Sequence, residues 1–447
     1  MSAVPFGEGH VSTTTLPDGA QPGSTTGLAA RAACLNIARG IVALGGSVVI
    51  TRALGPDGRG VFSFVTNAVG VLVLLATAGT PAALTRAKAT QGVTPGRLYR
   101  SSAQISALSG GLAVVGFVVA YLLLRHGLFS GVRLEQAGAV VALVPLVLLS
   151  GFWTVVAYLE GLVLRVGLYS LLSVFGLLMA SCVLALMHSL TPGSIIVAWG
   201  ATSVLPLILL SRRAFRPDLG GATPGLLRSL LRYSARANVA SLSLILVWRM
   251  DVFMVKGYRG YGELGAYSVA VSIGEILLQV AIALRVALLP QQGRGDDREG
   301  LRCSIAKFTR FTLSVGLPAA GLLAASSTFA VRLLYGEEFV AAAPAVALLA
   351  PGVVFIVAQG PLIDYLLVEG ELLAVTRAAV VALAANVLIN VLLLPSHTFL
   401  VAAWSSSAAY CITFIMCLTT YCRLTRTRVS ETLFVRRNDI SAGRGRR

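Results

Sequence analysis

The chain has 447 residues, of which 56% are hydrophobic and only 12% charged, with a mean hydropathy of +0.81. Soluble globular chains carry about 25% charged residues, so this composition excludes an ordinary soluble domain. The net charge of +17 is placed between apolar runs rather than on one face interleaved with aromatics, which argues against nucleic acid as a partner.

Residues 1–27 are rich in Ser, Thr, Gly and Pro and hold no Lys or Arg, so they lack the basic region of a signal peptide and are expected to form a disordered cytoplasmic tail. Apolar runs of about 20 residues, the length that spans a bilayer, then recur from Leu28 to Tyr421. They predict an all-α integral membrane protein of about twelve helices, over 28–53, 60–85, 101–125, 137–160, 166–188, 193–214, 234–257, 264–290, 303–334, 342–368, 372–394 and 398–422. Gly55-Pro56-Asp57-Gly58 makes the first connection a tight hairpin, and Thr191-Pro192-Gly193 and Leu394-Pro395-Ser396-His397 punctuate later ones. From Arg423 the chain is basic with no long apolar run, as in a cytoplasmic tail.

Alternate connections differ in charge. One set holds Arg86, Lys88, Arg97, Arg100, Arg165, Arg212, Arg213, Arg216, Arg228, Arg232, Arg294, Arg298 and Arg302; the other holds Arg59, Arg133, Arg259 and little else. Because positive loops stay on the cytoplasmic side, both termini are expected inside, in the cytoplasmic (inner) membrane of a cell. The six cysteines show no C-x-x-C and no paired spacing, so disulfides and zinc are not expected.

The halves are weakly alike. Gly55-Pro56-Asp57-Gly58-Arg59-Gly60-Val61-Phe62-Ser63 is similar to Gly260-Tyr261-Gly262-Glu263-Leu264-Gly265-Ala266-Tyr267-Ser268; Leu159-Glu160-Gly161 pairs with Val368-Glu369-Gly370, and Ala198-Trp199 with Ala403-Trp404. A repeat of six spans re-enters from the same side, so the repeat is parallel and its axis runs along the membrane normal. Two pseudo-symmetric six-helix bundles around a central cavity are expected, at 28–214 and 234–422, joined by a cytoplasmic linker at 215–233 and followed by the basic tail at 423–447.

The same residues resemble the oligosaccharide flippase family, the polysaccharide-exporter branch of the superfamily that also holds multidrug and toxic-compound extrusion proteins and the lipid II flippase. The likeness runs from Arg52-Ala53-Leu54-Gly55-Pro56-Asp57-Gly58-Arg59-Gly60-Val61-Phe62 through Arg249-Met250-Asp251 and Gly265-Ala266-Tyr267. It continues in Leu334-Tyr335-Gly336-Glu337-Glu338-Phe339, Glu369-Gly370, Asn386 with Asn390, and Ala402-Ala403. The resemblance implies alternating access and a polyprenyl-diphosphate-linked oligosaccharide, or a related glycolipid, as cargo for cell-surface polysaccharide synthesis. Membrane lipids, and the glycosyltransferases and polymerase of such a pathway, are the partners it implies.

Ionised groups within a bilayer usually face a cavity or a partner. Ser268, Ser272, Glu275 and Gln279 share a helical face, where Glu275 could bind a coupling cation or proton, or counter a basic residue; an inter-helix hydrogen-bond site is the structural alternative. Arg249 and Asp251 lie on different faces and do not pair with each other. Arg249, in line with Asn238, is expected on the cavity, where a guanidinium grips phosphate oxygens, and Asp251 is expected to meet a basic group or to snorkel with its neighbour. Asn36, Arg39, Ala43 and Ser47 form a second polar stripe, with Arg39 another candidate for the diphosphate. Asp364 with Gln359 is a further coupling or ion-pair candidate.

No catalytic constellation stands against transport. His10, His126, His188 and His397 are dispersed, and H-E-x-x-H, G-x-S-x-G and a Gly-rich loop ending in Lys-Ser or Lys-Thr are missing from the sequence. No cofactor is expected. A cation-coupled multidrug exporter of the same superfamily is the alternative, and an intramembrane enzyme or a non-transporting scaffold are the readings from other classes.

Overall fold

A computed structural model describes residues 22–77, 79–91, 93–127, 129, 132–214, 224–288 and 298–433. Among them there is no strand. The helices are α1 (Pro22–Thr77), α2 (Thr80–Gln91), α3 (Pro95–Leu123), α4 (Leu134–Leu159), α5 (Val163–Leu186), α6 (Pro192–Ser203), α7 (Leu205–Ala214), α8 (Pro224–Leu288), α9 (Arg298–Tyr335), α10 (Ala343–Val368), α11 (Leu372–Leu393), α12 (Leu400–Thr425) and α13 (Val429–Leu433), with a 3-10 turn at Glu337–Ala342.

Nine described segments are long and apolar enough to cross a bilayer. One of these is α1 from Cys34 onward, which is bent at Gly55 (φ 65°, ψ −178°); α8 is bent likewise at Gly260 (φ 83°, ψ −171°). That region of backbone space is essentially restricted to glycine, so each apex needs the residue the sequence supplies. Counting the arms of α1 and α8 separately is consistent with twelve spans. The first arm of α1 begins at Pro22, before the expected 28, and residues 1–21 lie outside the described residues.

Pro206 has no N–H to continue a helical ladder, and the predicted sixth helix is broken there into α6 and α7. Part of the expected linker, 224–233, is helical and opens α8, while 215–223 lies outside the described residues. The expected tail begins with the end of α12 and with α13, which is tied to α9 where Arg310 Nη1 donates to the Glu431 carbonyl at 2.7 Å; residues 434–447 lie outside the described residues.

The repeat is visible in backbone detail. Leu162 N donates to Ala157 O at 3.0 Å, and Glu371 N to Leu366 O at 2.8 Å, closing α4 and α10 in the same way. At the apexes the two halves touch reciprocally: a Cβ added at Gly60 would collide with the carbonyl of Tyr261, and one added at the equivalent Gly265 would collide with the carbonyl of Pro56. Each half thus uses a missing side chain to admit the other half's backbone.

Packing shows where the halves join and where they part. One apolar core near the apexes mixes Phe64, Val69, Val144 and Ile195 with Val255, Tyr267, Tyr335 and Phe339. Toward the other end the core divides, with Leu84, Tyr99, Phe152 and Val156 in one cluster and Leu362, Tyr365, Phe414 and Tyr421 in another. The halves are clasped at the apex end and separate toward the end that carries α2, α7 and α13.

Candidate functional site

Below the clasp, the second arms of α1 and α8 face each other. Arg59, Phe62, Ser63, Thr66 and Asn67 recur at spacings of three, one, three and one, which sets them on one helical face; Ser268, Val271, Ser272 and Glu275 do the same on α8. With Arg249 and Val252 they line a cavity of about 220 Å³. An adjoining cavity of about 390 Å³ shares Arg59, Phe62, Thr66, Ser272 and Glu275 and extends along the first arm of α1 past Arg39, Ala43, Ser47 and Ile50 to Trp199 and Tyr335.

Arg249 is held at both ends of its guanidinium. Nη1 donates to Asn67 Oδ1 and Nη2 to Glu275 Oε1, each at 3.0 Å. Asn67 is fixed in turn by Nδ2, which donates to the Ser63 carbonyl at 2.8 Å. Arg249 and Glu275 remain 35% and 47% exposed, so the pair faces the cavity and a solute could reach it.

Arg59 is the site residue that sequence reasoning missed. Counted there as an external-loop charge, it is helical and only 7% exposed. Its Nε donates to Ser268 Oγ at 3.1 Å and its Nη2 to Ser272 Oγ at 2.9 Å, across the seam between the halves. The available signal was Ser63, one turn beyond Arg59, with its repeat partner Ser268; the glycines around Arg59 obscured it by marking a turn.

The other candidates fall out as follows. Arg39, Ala43 and Ser47 line the larger cavity, whereas Asn36 lines neither. The side chains of Asn238 and Gln279 lie outside the described residues. Asp251 does not snorkel, and its contacts are not to the basic group expected of it: it is buried and accepts from the Tyr267 hydroxyl, from Ser406 Oγ at 3.1 Å and from its neighbour's N–H, Val252 N, at 2.8 Å. Two residues from Arg249 along a helix is a different face, and that face packs on α12. Next to Ser406, Ser405 Oγ accepts from Asn390 Nδ2 at 2.7 Å, so the Asn386 and Asn390 pair belongs to this packed polar layer. Asp364 is exposed and Gln359 buried, both away from the two cavities.

Among the described residues, three arginines and one glutamate therefore border the adjoining cavities, an excess of positive charge in a space between two repeats. The family described as polysaccharide biosynthesis protein matches residues 32–294, more than half of the chain. The chain belongs to that family. The chain is 23% identical over 394 residues to the probable low-salt glycan biosynthesis flippase Agl15 of Haloferax volcanii, a match covering 83% of this chain and 78% of that one. In fold it is similar to the lipid II flippase MurJ in an inward closed conformation (TM-score 0.66, 14% identity, 89% of each chain). It is also similar to the eukaryotic MATE transporter AtDTX14 (TM-score 0.64, 16% identity, 92% of this chain and 97% of that one). The family protein is thus a multi-pass membrane protein with the architecture of a flippase-like transporter.

Proposed function

We propose that this protein flips a polyprenyl-diphosphate-linked oligosaccharide, or a related glycolipid, across the cytoplasmic membrane by alternating access between two six-helix units, 28–214 and 234–422. The supporting observation is that, among the described residues, Arg39, Arg59 and Arg249 border the adjoining cavities against the one carboxylate of Glu275. A diphosphate that leaves water must be given replacement donors, and arginine offers them in a planar fork suited to phosphate oxygens. The polyprenyl tail can stay in lipid while the head group crosses inside the protein. Both termini are assigned to the cytoplasm on the distribution of Lys and Arg, so the apexes at Gly55 and Gly260 face outward and the divided end faces in.

The drug-export reading draws on the likeness in fold to a MATE transporter and on Glu275, which could attract a cation. Against it, the Glu275 carboxylate is engaged by Arg249 at 3.0 Å. Reconstitution in liposomes, with flipping of the host's lipid-linked oligosaccharides measured with and without sodium and proton gradients, tests the proposal. Flipping that is lost in the Arg39→Ala, Arg249→Ala double variant is expected. Unchanged glycolipid flipping in that variant, or transport of cationic drugs without glycolipid movement, would overturn it.

A further inference from the structure

The ion pair on the cavity is contained within one half of the protein. Arg249 lies on the first arm of α8 and Glu275 on the second, both on the same side of the seam. Asp251, two residues from Arg249, accepts from the hydroxyl of Tyr267 on the second arm and from that of Ser406 on α12. These bonds fasten the two arms to each other and to α12. By contrast, the bonds from Arg249 to Asn67 and from Arg59 to Ser268 and Ser272 run between the halves. Rocking of the halves breaks the second set and leaves Arg249 and Glu275 together.

The first half carries neither charge. At the offset that relates Gly55 to Gly260, Leu44 stands for Arg249 and Gly70 for Glu275, so the bent helix of that half packs without such a pair. Nor does the pair add much to stability where it is now. It is 35% and 47% exposed, and ion pairs in contact with water contribute little. Its worth rises when water is excluded. A transporter that has released its cargo outside must return unloaded, through a closed state in which charges are poorly screened and an unpaired guanidinium is costly. Phosphate oxygens neutralise Arg249 on the outward journey; on the return, a carboxylate that travels with the same half does so.

We propose that Glu275 is a built-in stand-in for the cargo's phosphate. Between cargoes it holds Nη2 of Arg249 and so allows the unloaded return; on loading it gives way to the diphosphate. This role rests on the diphosphate-lipid reading given above.

The test separates net flipping, which needs the unloaded return, from exchange, which does not. The full chain is reconstituted in liposomes with the host's lipid-linked oligosaccharides, tagged on the sugar with a fluorophore. Passage between leaflets is read with an impermeant quencher, while the opposite leaflet is either free of lipid-linked sugar or holds an excess of the untagged lipid. In Glu275→Gln the ratio of net flipping to exchange is expected to fall about tenfold or more, equivalent to about 1.4 kcal/mol or more on the return barrier, with exchange itself within about threefold of wild type. Glu275→Ala is expected to show the same fall. In the Glu275→Gln, Arg249→Gln double variant both modes slow through weaker binding. Its ratio is expected to recover to within about threefold of wild type, since no guanidinium is left to neutralise. Each ratio comes from one preparation, so a loss of folded protein does not imitate the result. The role of Glu275 is overturned if Glu275→Gln and Glu275→Ala keep the wild-type ratio, if they lose net flipping and exchange in equal proportion, or if the double variant keeps the low ratio. Wild type that moves the tagged lipid in neither mode would bring down the cargo reading itself; wild type that moves it, with an unchanged ratio in the Glu275 variants, would bring down the stand-in alone.

Discussion

Arg249 is held by Asn67 and Glu275, and a phosphate would have to share it with them. Its ion pair with Glu275 is 35% and 47% exposed, and pairs of that kind contribute about 1 kcal/mol or less to stability after solvent screening. A charge-assisted hydrogen bond to cargo is worth about 1.5–3 kcal/mol, or about ten- to a hundredfold in affinity. Arg249→Ala is therefore expected to weaken undecaprenyl diphosphate binding by that factor while changing unfolding stability in detergent by about 1 kcal/mol or less. A large loss of stability with unchanged affinity would make Arg249 a structural residue. Asp251 should behave in the opposite way. Asp251→Ala strands the Tyr267 and Ser406 hydroxyls in a buried layer, and each orphaned donor costs about 1–3 kcal/mol, so thermal unfolding should show a larger loss than for Arg249→Ala. Helical spacing alone put these two side chains on different faces. It could not tell which face met water and which met α12, because that depends on residues 155 positions away.

At the scale of elements, glycine placement made the apexes legible. Gly55-Pro56-Asp57-Gly58 reads as a turn, and its similarity to Gly260-Tyr261-Gly262 marks the second bend in the sequence itself. An L residue at either bend is forced into backbone space that costs about 1–3 kcal/mol. Gly55→Ala and Gly260→Ala are each expected to lower unfolding stability by about that much, and Pro56→Ala, which leaves the bend to glycine, by less than 1 kcal/mol. Equal losses for all three would mean that packing, not backbone conformation, sets the bend. Other boundaries were less legible for a physical reason. The helix α13 is only five residues long, too short to be stable alone; it is held by Arg310 and by contact of Thr432 with Cys422, and no local pattern announces such contacts. Arg59 was obscured likewise, since its partners Ser268 and Ser272 belong to the other half.

For the whole molecule, the arrangement of cores decides which way the cavity faces. A single core joins the halves at the apexes, and separate cores serve them below, so the interior should be reachable from the divided end and closed from the other. The parallel repeat seen in the sequence predicts a rocking pair but is silent on its present tilt, because the same repeat serves both states. Cysteine accessibility can read that tilt in a background in which the six native cysteines are replaced. Ala43→Cys, on the larger cavity, is expected to react with an impermeant maleimide in inside-out vesicles and not in intact cells. Val255→Cys, fully buried in the apex core, should react in neither. Adding Gly265→Ala introduces a Cβ into the Pro56 carbonyl and should make Ala43→Cys reactive from the outside, while protection from the inside increases as the lower cores close together. Reaction of Ala43→Cys from both faces without the glycine change would mean that the apex layer is no seal. Gain of outside reactivity without inside protection would mean that the two ends are not coupled, and the halves would then be loosened by Gly265→Ala instead of rocked.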